Sequence, residues 1–207
     1  ILNISKNNLS SLPDGIGYLE NLQELDFSDN QLTNLPANIG SLSSLVTLNA
    51  SNNSIENLPE SFKNLYSLTE LQLESNGLTQ FIDCNQFTSL ITLDLSYNNL
   101  TSSLASIDFG AMSKLEILDL SNNTLSHFPM NIGMLTKLEN LNIEDNILYS
   151  LPEEIGNLNT LVILNANDNH IVNIPTTIDG LINLEQLQLA RNELITFPSS
   201  LCDIFPL

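Results

Sequence analysis

Apolar and polar positions follow one phrase along this chain, LxxLxLxxNxL, whose asparagine returns as Asn7, Asn30, Asn53, Asn76, Asn98, Asn123, Asn146, Asn169 and Asn192. Aligned on its first leucine, the phrase starts at Leu22, Leu45, Leu68, Leu90, Leu115, Leu138, Leu161 and Leu184, with a unit already in progress at Ile1. Successive starts lie 23, 23, 22, 25, 23, 23 and 23 residues apart. Within each unit the LxLxx stretch alternates, as in Leu25, Asp26, Phe27 and Ser28, which predicts a short strand with one buried face. A second stretch, LPxxIGxLxxL, puts Pro13, Pro36, Pro59, Pro129, Pro152, Pro175 and Pro198 in one column. Proline has no N–H for a ladder and fixes φ, so this column predicts a turn into a short helical or 3₁₀ return path. Strands separated by such returns can pair only in parallel. The chain therefore reads as about nine like units stacked on one continuous core, presenting an extended surface and not an enclosed pocket.

The repeated asparagine belongs where the strand bends away. Its amide both donates and accepts, so it can bond the backbone of its own turn and of the adjacent unit, forming a ladder along the stack. Aspartate could only accept, and alanine would leave buried backbone groups unpaired at roughly 1 to 3 kcal/mol each. All nine asparagines are read as structural.

The combined pattern, LxxLxLxxNxLxxLPxxIGxL, resembles the leucine-rich repeat family in its 23-residue intracellular, Ras-group-like type, over essentially the whole chain. The resemblance implies an α/β fold: a leucine-rich repeat solenoid, a curved horseshoe with a concave parallel β-sheet and convex short helical or 3₁₀ segments. It also implies a protein-protein interaction module of an intracellular signalling or scaffold protein. The alternative is the regulatory or targeting arm of a multidomain enzyme (metal-dependent Ser/Thr phosphatase, kinase, Roco-type GTPase or adenylyl cyclase) whose catalytic domain lies outside this chain. Residues 1–207 form a single domain on this reading. Because the chain starts within a strand and stops at Leu207, the first leucine of a tenth unit, with no polar cap at either end, the expectation is a fragment of a longer chain truncated within repeats at both ends.

Two irregularities overlie the period. Residue i aligns with residue i+116 beyond what the leucines require: Val46, Asn49 and Ala50 with Val162, Asn165 and Ala166, Gln72 with Gln188, Asp29 with Asp145, Ser10 with Ser126. This suggests duplication of a five-unit block. Alanine where leucine or phenylalanine is usual also needs a neighbour to fill the space, for which Phe27 is the candidate beside Ala50. Between the blocks, residues 79 to 114 break the rhythm: the proline column fails at Ile82 and after Leu104, and TSSLASIDFGAM carries a longer loop, with an expected local change of curvature.

Composition then narrows the partners. Twenty-four acidic against 5 basic residues give a net charge of -19, a field that repels phosphate backbones and anionic lipid, so no nucleic acid and no direct membrane insertion are expected. No apolar run reaches the roughly 18 residues a span needs. Cys84 and Cys202 stand about five units apart, beyond disulfide reach, and no cysteine clusters appear, which favours an intracellular, cytoplasmic setting; six N-x-S/T sequons argue weakly the other way. His127 and His170 fall in polar loops of different units, Cys84 has no evident histidine partner, and neither a phosphate loop nor a metal-ligand cluster appears, so no catalytic residue, cofactor or metal is assigned and the fragment is read as no enzyme. Asp94 and Asp119 could share a cation, but two carboxylates make a weak calcium signal.

Residues between the inward leucines face the concave side. The partner-binding candidates there are Glu24, Asp26, Glu70, Gln72, Glu74, Asp94, Tyr97, Ile117, Asp119, Asn142, Glu144, Ile163 and Asn165. With Asp29, Asp145 and Asp168 at the strand exits the face carries ten acids, and its only bases, Lys6 and Arg191, lie in the terminal units. The expected partner is a protein with a basic surface or segment, with Tyr97, Ile117 and Ile163 as apolar anchors. Oligomeric state is not legible.

Overall fold

A computed structural model describes residues 1–82, 85–101 and 107–204, apart from the side chain of Asp203. Cys84, residues 102–106 of the irregular loop with Leu104 among them, and Leu207 lie outside the described residues. The alternating stretches form nine strands: β1 (Leu2–Asn3), β2 (Glu24–Asp26), β3 (Thr47–Asn49), β4 (Glu70–Gln72), β5 (Thr92–Asp94), β6 (Ile117–Asp119), β7 (Asn140–Asn142), β8 (Ile163–Asn165) and β9 (Gln186–Gln188). They make one parallel, open sheet in strict sequence order. Every pairing sets like position against like, as in Leu48↔Leu71 and Leu118↔Leu141, because only that register keeps all the leucines on the buried face.

The core is a single cluster running the length of the stack, in which Leu45, Leu48, Leu68, Leu71, Leu115, Leu118, Leu138, Leu141, Leu161 and Leu164 are sealed from solvent. Phe27 and Ala50, neighbours in one column, are both fully buried, as is Ala166. Under the irregular segment the core turns aromatic: Phe87 meets Phe62 edge-on with centroids 6.4 Å apart and Phe81 at the same distance in a tilted pair. The 22- and 25-residue spacings leave the sheet untouched, since Leu71↔Leu93 and Leu93↔Leu118 stay in register. The length difference is thus absorbed away from the strands.

The return paths are 3₁₀ turns such as Asp14–Tyr18, Glu60–Asn64, Glu153–Asn157 and Thr176–Gly180, and the one α-helix among the described residues is the four-residue α1 (Leu201–Ile204). Pro13, Pro59, Pro129, Pro152 and Pro175 each cap one, with φ between -72° and -63° and ψ near 150°, the geometry that proline's ring presets. Glycine is required where successive turns touch: a Cβ on Gly40 would lie 1.8 Å from the Ser61 carbonyl and one on Gly156 2.1 Å from that of Thr177. No helix is long and apolar enough to cross a membrane among the described residues.

The asparagine ladder is as expected from its chemistry. Asn123 Nδ2 donates to the carbonyls of Leu95, Leu120 and Ser121 at 3.0–3.1 Å, while its Oδ1 accepts the Leu100 N–H at 2.9 Å. Asn98, Asn146 and Asn169 repeat this set and are buried. Just before each asparagine the chain turns through the left-handed region: Lys6, Asp29, Asn52, Ser75, Tyr97, Asn122, Asp145, Asp168 and Arg191 all have φ of 52–56°. No glycine occupies any of the nine positions, so the turn is imposed by the bonds around it.

Candidate functional site on the concave sheet

The strands carry the candidate side chains directly. Asp26, Gln72, Asp94, Asp119, Asn142 and Asn165 share one column across the sheet, paired in sequence except for Asn49 between the first two. Glu24, Glu70, Ile117 and Ile163 lie in the column two residues earlier, while Glu74, Tyr97 and Glu144 follow their strands.

The structure groups them into three places. At the centre, Glu74 replaces the small serine of its column, between Ser51 and Ser96, and sits partly buried against Asp94 with Asp119 and Asp29 nearby. Burial, then the charge of Asp94 and a hydrogen bond to it, then Asp119 and Asp29, push its carboxyl up to about 7, so near neutral pH it holds a proton a surface glutamate would have lost. Towards the C-terminal half, Ile117, Asp119, Asn142, Ile163 and Asn165 surround a shallow depression of about 290 Å³ together with Asn140, Gln186 and Gln188. Glu24 and Asp26 stand apart in a second depression of about 210 Å³ near Ile1, which Gln72 also reaches. Tyr97 is at the rim, 59% exposed and in the left-handed conformation.

Much of the acidic surface is engaged in bonds of its own. Asp26, Asp94 and Asp119 each accept from the backbone N–H and hydroxyl of the serine two residues on, at 2.6–2.9 Å. Ser51 bonds Asn49 in the same way, and Ser28, Ser51, Ser96 and Ser121, expected on the open face, are in consequence buried. The signal was present in the recurring (D/N)-x-S, an Asx-type turn that closes the strand exit. Lateral bonds tie units together: Asn3 Nδ2 to Asp26 Oδ2, Asn142 Nδ2 to Asp119 Oδ2 and Asn165 Nδ2 to Glu144 Oε2, each 2.9 Å. Gln72 donates to Glu70 at 2.8 Å. Arg191 is paired with Asp168 one unit before it, and that guanidinium bond holds the Asp168 carboxyl below its ordinary range. The face can therefore receive cationic and amide-bearing groups through the carboxylate oxygens that remain turned to solvent, and small apolar side chains between Ile117 and Ile163. Asn140 and Gln186 belong to that depression but were not selected from sequence, although they occupy the same column as Ile117. Among the described residues no group of three or more potential metal ligands converges.

Comparison with known proteins gives a match to the family model for a leucine-rich repeat region over residues 1–83 and 75–203. Among solved structures, the chain is similar to a leucine-rich repeat protein of Leptospira interrogans (32% identity, TM-score 0.74), covering 99% of this chain and 58% of that one. It is similar to an internalin of Listeria monocytogenes (27%, TM-score 0.80), covering 95% of this chain and 56% of that one. The Arabidopsis receptor kinase HAESA, solved in complex with the peptide hormone IDA and the co-receptor SERK1, is 28% identical with a TM-score of 0.77, over 92% of this chain and 33% of that one. This chain thus spans between a third and three fifths of those structures' lengths. Among curated proteins there is no match.

Proposed function

This chain belongs to the leucine-rich repeat family, and from that premise we propose that it is a protein-binding module whose concave sheet receives a basic, extended segment of a partner. The observation that carries this reading is Tyr97. It is the one aromatic side chain among nine left-handed residues, a conformation that costs an ordinary residue about 1 to 2 kcal/mol, and it is exposed at the strand exit three residues after Asp94. A polar residue would turn the chain more cheaply, so a tyrosine at this position points to a surface role. The partner's lysine or arginine meets the central carboxylates, Tyr97 covers its aliphatic stem, and a neighbouring apolar side chain sits between Ile117 and Ile163. The solved HAESA complex, which holds a peptide hormone, supports a peptide-sized ligand by likeness. The exposed free thiol of Cys202 supports a reducing, intracellular setting and hence a signalling or scaffold role. The likeness to a receptor kinase favours a second reading, as the binding arm of a larger enzyme.

Affinity capture with the wild-type stack and with Asp94→Lys/Asp119→Lys tests the proposal. The partner should be lost from the charge-reversed protein, and once purified it should bind the wild type several-fold more weakly when salt rises from 50 to 300 mM. Affinity indifferent to ionic strength sinks the electrostatic part.

A further inference from the structure

A different face of the stack changes character along its length. Three residues after each structural asparagine, the outward position is Ser10, Thr33, Glu56, Thr79, Thr101 and Ser126 in the first six units. In the last three it is Tyr149, Val172 and Ile195. These lie on the flank between the sheet and the 3₁₀ turns, away from the concave face. Tyr149 is 57% and Ile195 78% exposed, and Ile147, two residues before Tyr149, is exposed as well. The i+116 relation pairs Thr33 with Tyr149, Glu56 with Val172 and Thr79 with Ile195, so the apolar strip is absent from the otherwise matching first block.

The strip is also held rigid. The Val172 N–H donates to the Tyr149 carbonyl at 3.2 Å and the Ile195 N–H to the Val172 carbonyl at 3.1 Å, with a parallel bridge between Ser150 and Asn173 beside them. Tyr149 stacks on His170 with centroids 5.7 Å apart, and His170 Nδ1 donates to Glu193 Oε1 at 2.7 Å. Three apolar side chains are thus aligned on a backbone ladder at strand spacing, with an exposed carboxylate at the margin.

We propose that this flank is a second docking surface, specific to an amphipathic basic helix of a partner protein. Side chains on successive turns of a helix recur every 5–6 Å, close to the roughly 4.8 Å between rungs, so one helix face can cover Tyr149, Val172 and Ile195 together. Charge selects among occupants. A second copy of this chain would bring one body of net charge -19 against another, whereas a cationic helix gains from the field and can set a lysine against Glu193. This surface is separate from the concave site, and either can fail without the other.

The test uses an 18-residue synthetic helix of leucine and lysine as probe, titrated at 300 mM NaCl to suppress non-specific attraction. Tyr149→Ser/Ile195→Thr, which restores the residue types of the first six units, should weaken binding at least tenfold with an unchanged circular dichroism spectrum. Asp94→Asn/Asp119→Asn should alter it less than twofold, and replacing the probe's lysines by glutamates should abolish it. Equal affinity of the flank variant, loss on the concave substitutions, or undiminished binding of the acidic probe overturns the proposal. So does a wild-type dimer in sedimentation that the flank variant disperses, since the occupant would then be a second copy.

Discussion

Asn123 satisfies four backbone groups from two neighbouring units, at depth in the stack. Its replacement by alanine should cost on the order of 3 kcal/mol in urea unfolding. Asn7→Ala should cost under about 1 kcal/mol, because the exposed Asn7 donates only to Ile4 and Ser5 in its own turn. Glu74 makes a prediction about pH. Its folded carboxyl is pushed up to about 7 while the unfolded one keeps the ordinary glutamate value of 4.5, so between these values the folded state binds the extra proton. Stability from this group is full below about 4.5 and lost as pH rises through about 7. Because the side chain is only partly buried, the effect should be on the order of 1 kcal/mol after screening, and Glu74→Gln should remove that part of the slope between about pH 4.5 and 7. Tyr97→Asn should raise stability by about 0.5–1 kcal/mol, as asparagine tolerates the left-handed turn, while weakening the partner. A gain in stability with unchanged binding would leave Tyr97 without the role proposed for it.

At the scale of the element, strand and return path are held by different means. The strands are three residues long or fewer and gain their stability from register with both neighbours and from the leucines beneath. The 3₁₀ turns are packed one on the next through glycine. Gly40→Ala and Gly156→Ala should each destabilise by about 1–3 kcal/mol, because the added methyl meets a backbone carbonyl that cannot rotate away. Gly15→Ala should be neutral, since nothing lies within 4 Å of its Cβ position, and thermal melts of the three proteins compare them directly. The proline column and the alternating pattern made both kinds of element legible in advance. The burial of Ser28, Ser51, Ser96 and Ser121 was not, because alternation assigns a side chain to a face but does not say whether its neighbours close over it.

For the whole molecule, the net charge of -19 is spread over an elongated body whose strands, among the described residues, pair with their sequence neighbours alone. Screening of self-repulsion should raise the melting temperature by several degrees between 20 and 300 mM NaCl, and a melt that does not move would show the charges already compensated by local pairs. The sequence by itself determined the stack: period, strand face, parallel order, the asparagine ladder and the proline-led turns. Each follows from backbone bonding and burial repeated identically in every unit, so nine copies of one pattern leave no competing arrangement. Only the tertiary structure decided which of the acidic residues remain available, that the Glu74 carboxyl is pushed up, that Ile117 and Ile163 border one depression, and that Tyr149 and Ile195 stand exposed on either side of half-buried Val172. These depend on what stands one unit away, 23 residues distant in sequence for most pairs, where a difference in side-chain size or charge between neighbouring rungs sets burial and field without disturbing the repeat that makes the fold.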